Sequence, residues 1–236
     1  ATEKLFRESS SAGVKKALYL SSLSVHGFGH HKETSEAGPY YPLINPYQIS
    51  KKKGEEIALS LNGPDMNVSV IRPGNVYGPD DLTTMFPIFK AMEKGIMGFI
   101  DGGKRLSCPV YIDDLLDAIV LVWHSEKANG QIFNITGGEI ITWREILEIN
   151  ASCLGIKSPG LNIPGTVAMR MAKLMKSMYK AFKSRSAPPL TPYRVAQLVH
   201  DYHFSIDKAT ELLGYQPHVP YREGIKETVR SYRSQS

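Results

Sequence analysis

Cysteine is nearly absent. The 236 residues hold two, Cys108 and Cys153, far apart in the chain. That excludes a disulfide framework and a thiolate metal site, and it suits a reducing, cytoplasmic location. Long apolar runs are missing as well. The best candidate, Leu115 to Trp123, contains Asp117 and falls well short of the ~18 residues a spanning helix needs. No strong charge of one sign is present: 28 Lys and Arg against 23 Asp and Glu leave +5, too mild to imply nucleic acid as a partner. The opening residues carry charge where a secretory leader is apolar. Repeats and low-complexity tracts are also missing. What remains is ordinary globular composition, 42% hydrophobic and 22% charged, enough for a sizeable core.

Short apolar runs alternate with helical patterns. Residues 3 to 12 read as the end of a helix, with Gly13 as its C-cap. Ala17 to Leu20 reads as a buried parallel strand ending in Ser21-Ser22. Residues 27 to 44, rich in Gly, Pro, His and Ser, read as a loop. Asn45-Pro46 starts a helix that runs to about Leu61. Asn67 to Arg72 is a second strand, 85 to 94 a helix, and Val110 to Ile112 a strand. Asp113 begins a helix through His124, and Ile132 to Ile135 is another strand. Thr142 and Glu145 have capping-box spacing. An amphipathic helix covers 166 to 185, and a tail helix runs from about Ser205 to Gly214. This alternation predicts an α/β fold with a parallel sheet.

Tyr47 and Lys51 stand four apart on the first turns of one helix and share a face. An ammonium beside a phenol favours the phenolate, which lets a tyrosine move a proton near neutral pH. The spacing alone is weak evidence, because Tyr179/Lys183 repeats it. Context separates the two pairs. Ser22 ends a strand before Tyr47, and Arg72 to Pro79 ends the next strand on the same carboxyl edge, where parallel sheets bind ligands. Tyr179/Lys183 lies in a strongly basic helix and reads as coincidence.

These residues resemble the extended short-chain dehydrogenases/reductases, which include sugar-nucleotide epimerases, dehydratases and 3β-hydroxysteroid dehydrogenase-like enzymes. Leu20 to Gly27 is similar to the family's serine strand, with His26 where tyrosine is usual. Asn45 to Lys51 is similar to its Tyr-x-x-x-Lys helix, and Ile71 to Pro79 to its Arg-Pro-x-Asn-x-Tyr-Gly-Pro turn. Val110 to Asp114, Phe133 to Gly138 and Lys208 to Pro217 follow in family order. The resemblance implies the C-terminal part of a doubly wound, Rossmann-type sheet in residues 1–136, with a substrate-side excursion near 79–108. It implies a smaller, mostly helical substrate domain in 137–236. It makes Tyr47 the general acid/base, Lys51 the residue that lowers its pKa and binds the nicotinamide ribose, and Ser22 the partner of the reacting oxygen. The backbone at Pro73 would lie against the nicotinamide and Asn75 would face the substrate. NAD or NADP is the implied cofactor, and a homodimer through helices including the Tyr47 helix the implied assembly.

The family's Gly-x-x-Gly-x-x-Gly loop lies roughly one hundred residues before the serine strand, whereas this chain begins at Ala1, close to Ser22. Gly95-x-x-Gly98 and Gly102-Gly103 read as neither following a strand nor opening a helix. The expectation is a C-terminal fragment that lacks the pyrophosphate site and is unstable alone.

Other features have plainer readings. His30-His31 with Glu33 and Glu36 lack metal-ligand spacing and read as a solvated loop near the substrate mouth, so no metal is expected. Asp113-Asp114 reads as a helix cap. In the 166–185 helix, Val167, Met171, Leu174, Met178 and Phe182 form one stripe, and Arg170, Lys173, Lys176, Lys180 and Lys183 spread over the rest. No acidic residue occurs between Glu148 and Asp201. The reading preferred is an inward-packed Met/Leu face; the alternative is contact with an anionic membrane surface. The late segment, Ala187 to Val195 and His203 to Ala209, resembles the 3β-hydroxysteroid subgroup, so oxidation or reduction of a secondary alcohol or ketone is the first functional expectation. A sugar-nucleotide epimerase or dehydratase is the second: Leu106 to Pro109 stand where such members carry an arginine, with Lys104-Arg105 slightly earlier. A non-catalytic cofactor sensor is the third.

Overall fold

The computed structural model describes residues 1–182, 188 and 190–235. At its centre, strand Asn67–Pro73 lies between Lys16–Leu20 and Ile132–Ile135 in a parallel sheet, with Leu20 opposite Ile71 and Pro73 opposite Ile135. Val68, Val70 and Ile71 are fully buried, as a parallel strand covered on both faces requires. Helices Thr2–Ser11 and Pro46–Ser60 cover one face through Phe6 and Ala58, which pack with Met66 around Val68. Helices Ile112–His124 and Asp207–Leu213 cover the other through Leu115, Val122 and Ala209 around Ile71 and Phe133. Among the described residues, Lys16–Leu20 is an outer strand, and it is partly exposed along its length. A second core gathers Tyr77, from strand Asn75–Tyr77, with Phe86, Phe89, Ile146, Tyr221, Ile225 and Tyr232 from helices Met85–Glu93, Trp143–Leu154 and Tyr221–Ser234. The end of the chain thus packs back onto its middle.

Local chemistry sets the helix starts. Asn45 Oδ1 accepts from Gln48 N at 2.9 Å with Pro46 in the first turn. Thr142 and Glu145 form a reciprocal capping box. Gly13 follows the first helix at φ 84°, and Gly214 ends Asp207–Leu213 at φ 71°; both angles favour glycine.

Several expectations are corrected. The stretch 27–44 is not all loop: His31–Thr34 pairs in parallel with Tyr202–Phe204, burying His31 and Thr34. The 110–112 strand is Pro109–Tyr111, paired with Asn75–Tyr77, and its helix starts at Ile112. Asp114 does not cap that helix. It is fully buried and accepts from His218 N at 2.9 Å, holding the approach to the last helix. Gly102-Gly103 do follow a strand, Phe99–Ile100, but sit in a 3-10 turn against Arg144 and open no α-helix. Helices Pro192–Val199 and Tyr221–Ser234 were not expected.

The basic helix spans Gly165–Ala181; Lys183, and with it the second Tyr-x-x-x-Lys pair, lies outside the described residues, as do Arg185, Ala187 and Pro189. The helix buries its small residues, Gly165, Ala168 and Ala172, against Ile100 and Val195. Its Val167, Met171, Leu174 and Met178 are exposed, as is Phe182 just beyond it, at 79%. The inward-packed Met/Leu face is therefore overturned. Small side chains let the backbone approach its neighbour closely, which turns the larger stripe outward. No helix among the described residues is long and apolar enough to cross a membrane.

Candidate active site

The carboxyl ends of Lys16–Leu20 and Asn67–Pro73 meet the N-terminus of the Tyr47 helix. After Leu20 the chain enters a 3-10 turn, Leu23–His26, that Ser22 caps: its Oγ accepts from Ser24 N at 3.2 Å, which leaves the hydroxyl proton to donate elsewhere. Lys51 Nζ donates to Leu20 O at 2.7 Å and lies 6.0 Å from the Tyr47 ring centre. Burial pushes the Lys51 pKa down. Gln48 is fully buried between these parts. It accepts from Ile44 N and donates to Ser24 O at 3.1 Å, which fixes the first turn of the Tyr47 helix to the serine turn. Tyr47 itself is 48% exposed. The structure therefore brings Tyr47, Lys51 and the Ser22 turn to one edge of the sheet.

Asn75 and Pro73 lie on the adjoining turn. Pro73 pairs with Ile135, Gly74 N donates to Ile135 O, and Asn75 N donates to Cys108 O. A Cβ on Gly74 would sit 2.1 Å from Cys108 O, so only glycine allows this approach. Both polar ends of Asn75 are engaged: Nδ2 donates to Ser107 Oγ at 3.2 Å, and Oδ1 accepts from Gln197 at 2.7 Å. In this arrangement Asn75 joins the sheet turn to helix Pro192–Val199.

Behind the site lies a buried ionic cluster that the sequence reading missed. Arg72, on the central strand, directs Nε to Glu55 Oε2 at 2.9 Å, Nη1 to His26 Nε2 at 2.9 Å and Nη2 to the Tyr40 hydroxyl at 3.1 Å. Ser21 donates to Glu55 at 2.9 Å. Burial, then the Arg72 charge, pushes His26 down to about 3, so it is a neutral ring, with Nδ1 bonded to Pro39 O and its face stacked on Tyr40. That explains how histidine serves where the family usually has tyrosine: it accepts from Arg72 and packs as an aromatic.

His30, His31 and Glu36 each turn to a different partner. His31 is buried between Thr34 and Gly27 O, Glu36 accepts from Asn134 N, and His30 faces Asp201. Among the described residues no group of three or more His, Cys, Asp or Glu is placed to hold a metal.

The model of the NAD dependent epimerase/dehydratase family matches residues 1–136. A 3beta-hydroxysteroid-dehydrogenase/decarboxylase of Arabidopsis thaliana is 33% identical over 93% of this chain and 54% of its own length. The sterol-4-alpha-carboxylate 3-dehydrogenase (decarboxylating) of Mus musculus is 30% identical over 94% and 64%. The chain spans about half the length of the Arabidopsis relative. Among solved structures, a UDP-glucuronic acid 4-epimerase of Bacillus cereus, bound to UDP-glucuronic acid and NAD, superposes with TM-score 0.75 at 21% identity, covering 100% of this chain and 67% of that one; this likeness speaks for the Rossmann-type fold. With more than half its length matched by the family model, and the serine, tyrosine-lysine and Arg-Pro segments in order along one sheet edge, the chain belongs to the NAD dependent epimerase/dehydratase family.

Proposed function

We propose that this chain carries the proton-transfer site of a nicotinamide-dependent oxidoreductase acting on a secondary alcohol or ketone of 3β-hydroxysteroid type. The observation that carries the reading is the Tyr47–Lys51 pair at the carboxyl edge of the sheet, with Lys51 anchored to Leu20 O beside the Ser22 turn. Residues 1–136 supply this edge, and 137–236 supply most of the substrate wall. Tyr47 takes the proton from the reacting hydroxyl or returns it to the carbonyl. Ser22 donates to that oxygen and orients it. Lys51 sets positive charge beside the phenol while the proton is away. NAD, or NADP in the alternative, would take up or supply the hydride when bound. Lys51 and Tyr47 suit its nicotinamide ribose, the Pro73 backbone its ring, and the Asn75 turn the substrate side. A glycine-rich pyrophosphate cradle is not found among the described residues, so the fit covers the nicotinamide end.

A nucleoside-diphosphate sugar needs a free cationic clamp. Arg105 instead pairs with Asp201, at 3.4 Å, which disfavours the epimerase alternative. In protein expressed from its complete coding sequence, a 3β-hydroxysteroid and NAD yield NADH. Calorimetric binding of a nucleoside-diphosphate sugar without steroid turnover would establish the alternative, and cofactor binding without any turnover would point to a sensor.

A lipophilic substrate also suits a surface role for helix Gly165–Ala181. Its exposed apolar stripe is flanked by Arg170 and Lys173, with Lys176 and Lys180 further round, and the helix has no acidic residue. It meets the requirements for lying on an anionic lipid surface. Co-sedimentation with phosphatidylserine vesicles is the expected result, lost in Leu174→Glu/Met178→Glu; pelleting that ignores both the substitutions and the anionic lipid would remove the idea. On this reading the protein works in the cytoplasm or at its membrane surfaces; the family resemblance adds a homodimer through helices that include the Tyr47 helix.

A further inference from the structure

Helix Pro192–Val199 is held to the rest of the protein by two kinds of contact. The first is apolar: Val195, fully buried, packs with Ile100, Ala168 and Ala172. Such burial is not directional, so it does not set how far the helix is turned about its axis. The second kind is directional. Just beyond the helix, Asp201 accepts from Arg105 Nη1 at 3.4 Å and from Leu106 N at 3.3 Å, which ties down its exit. In its body, Gln197 Nε2 donates to Asn75 Oδ1 at 2.7 Å, a bond between residues 122 apart in sequence. Asn75 passes the connection on. Its Nδ2 donates to Ser107 Oγ at 3.2 Å, and Ser107 is fully buried in strand Leu106–Ser107, which pairs with Ile141–Thr142. Asn75 N also donates to Cys108 O at 2.8 Å. Gln197 therefore grips a turn that is fixed at both its backbone and its side chain. Tyr193 lies one turn before Gln197 on the same face, and its ring packs edge-on against Phe28, with centroids 5.0 Å apart. Turning the helix would carry that aromatic wall with it.

We infer that Gln197 is a positioning residue: acting through Asn75, it sets the rotation of helix Pro192–Val199 against the turn from Pro73 to Asn75, and so aligns the substrate wall with the proposed nicotinamide face. The inference rests on the oxidoreductase reading and names what aligns its two halves. Gln197 touches neither substrate nor cofactor in this role. The relay has a chemical signature. Asn75 carries a donor and an acceptor on one planar amide, and Ser107 offers a hydroxyl that can accept or donate. A carboxylate at position 197 can only accept. Turning the Asn75 amide over then presents Nδ2 to the carboxylate and Oδ1 to the Ser107 proton, so the connection survives with its polarity reversed. An aliphatic side chain at position 197 breaks it.

The assay uses a 3β-hydroxysteroid and NAD in protein from the complete coding sequence, with NADH titrated calorimetrically to count the folded molecules. Gln197→Leu lowers kcat about tenfold, well inside what a small misalignment of reacting groups costs, while the number of NADH sites per chain and their affinity stay put. Gln197→Glu recovers most of that rate. The recovery depends on Ser107: Gln197→Glu/Ser107→Ala returns to the rate of Gln197→Leu, because no proton then meets the turned Asn75 oxygen. An unaltered kcat in Gln197→Leu overturns the inference. So does a fall in kcat matched by an equal fall in NADH sites, which marks a merely structural residue. Gln197→Glu as slow as Gln197→Leu, or a recovery indifferent to Ser107, overturns it too. Should Gln197→Leu fail to fold, the comparison of Gln197→Glu with Gln197→Glu/Ser107→Ala decides: a slower double variant upholds the relay, and equal rates overturn it. Tyr47→Phe is run alongside. Arrested turnover there, with Gln197→Leu at full rate, overturns the inference alone. Turnover that persists in Tyr47→Phe, or is absent from the unaltered protein, overturns the oxidoreductase reading and the inference with it.

Discussion

Tyr47→Phe lowers kcat for a 3β-hydroxysteroid by about 10²–10⁴-fold, the range a positioned acid/base contributes, while cofactor affinity falls much less, because Lys51 and the Pro73 backbone keep their proposed contacts to the nicotinamide end. The argument begins with what the substitution leaves alone. Tyr47 is half exposed, so losing its hydroxyl leaves no buried polar group unpaired and costs little stability. The helix start depends on Asn45 and Gln48, and neither is touched. Lys51 keeps its bond to Leu20 O, since that bond does not involve Tyr47. Only the transferable proton is removed. The loss therefore appears in kcat and in kcat/KM together, as expected for a group that acts in the transition state. Unchanged steroid turnover, with folding verified by circular dichroism, would defeat the catalytic assignment. Ser22→Ala lowers both rate and local order. Its hydroxyl both caps the 3-10 turn and faces the proposed reacting oxygen, so some loss of order in the turn accompanies the loss of rate.

What could be read from sequence had local causes. Asn45-Pro46 starts its helix because a short polar side chain can accept from an amide three residues on, and because proline has no amide to leave unpaired. The three central strands are legible as short apolar runs because both their faces are covered. Pairings across long separations were not legible. His31–Thr34 joins Tyr202–Phe204, and four residues among glycine, proline and histidine carry too little alternation to signal a strand. Amphipathicity misled in helix Gly165–Ala181 for a definite reason: a hydrophobic stripe says that one face is apolar, not which face the core takes. Gly165, Ala168 and Ala172 were the missed signal, a small-residue row that permits close packing. Helix Pro192–Val199 was equally within reach, since Thr191-Pro192 repeats the start chemistry of Asn45-Pro46. Glu55 follows Lys51, Lys52 and Lys53 and pairs with one of them, Lys52, at 3.7 Å, so nothing local distinguishes it from a solvated helix face; its buried partner is a strand residue far along the chain.

Glu55→Leu destabilises the fold by about 3–5 kcal/mol, the cost of leaving a buried charge without its counterion. Arg72 is fully buried and Glu55 nearly so. Burial pushes the Glu55 carboxyl up, but hydrogen bonds and charge from Arg72, with Ser21 and Lys52 adding to them, hold it below the ordinary carboxylate range. A folded pKa below the unfolded one stabilises the protein above the unfolded value and ceases to do so as pH falls through the folded value. The unaltered protein therefore loses stability on acidification below about pH 4, the usual glutamate range, and Glu55→Leu removes this share of the loss. Glu55→Leu/Arg72→Leu is less destabilised than the sum of the single variants, because a vacated pair no longer strands an ion. Urea midpoints for the four proteins at neutral and acid pH measure this coupling; strictly additive losses would show that the pair is not a unit. The consequence reaches the site through the chain itself. Glu55 lies two turns after Tyr47 on one helix, and Arg72 immediately precedes Pro73 on the central strand. The same ion pair that secures the helix to the sheet thus sets the distance between the proton-transfer residue and the turn proposed to carry the nicotinamide. Glu55→Gln keeps the shape and weakens the charge, so it retains more stability than Glu55→Leu and loses less turnover.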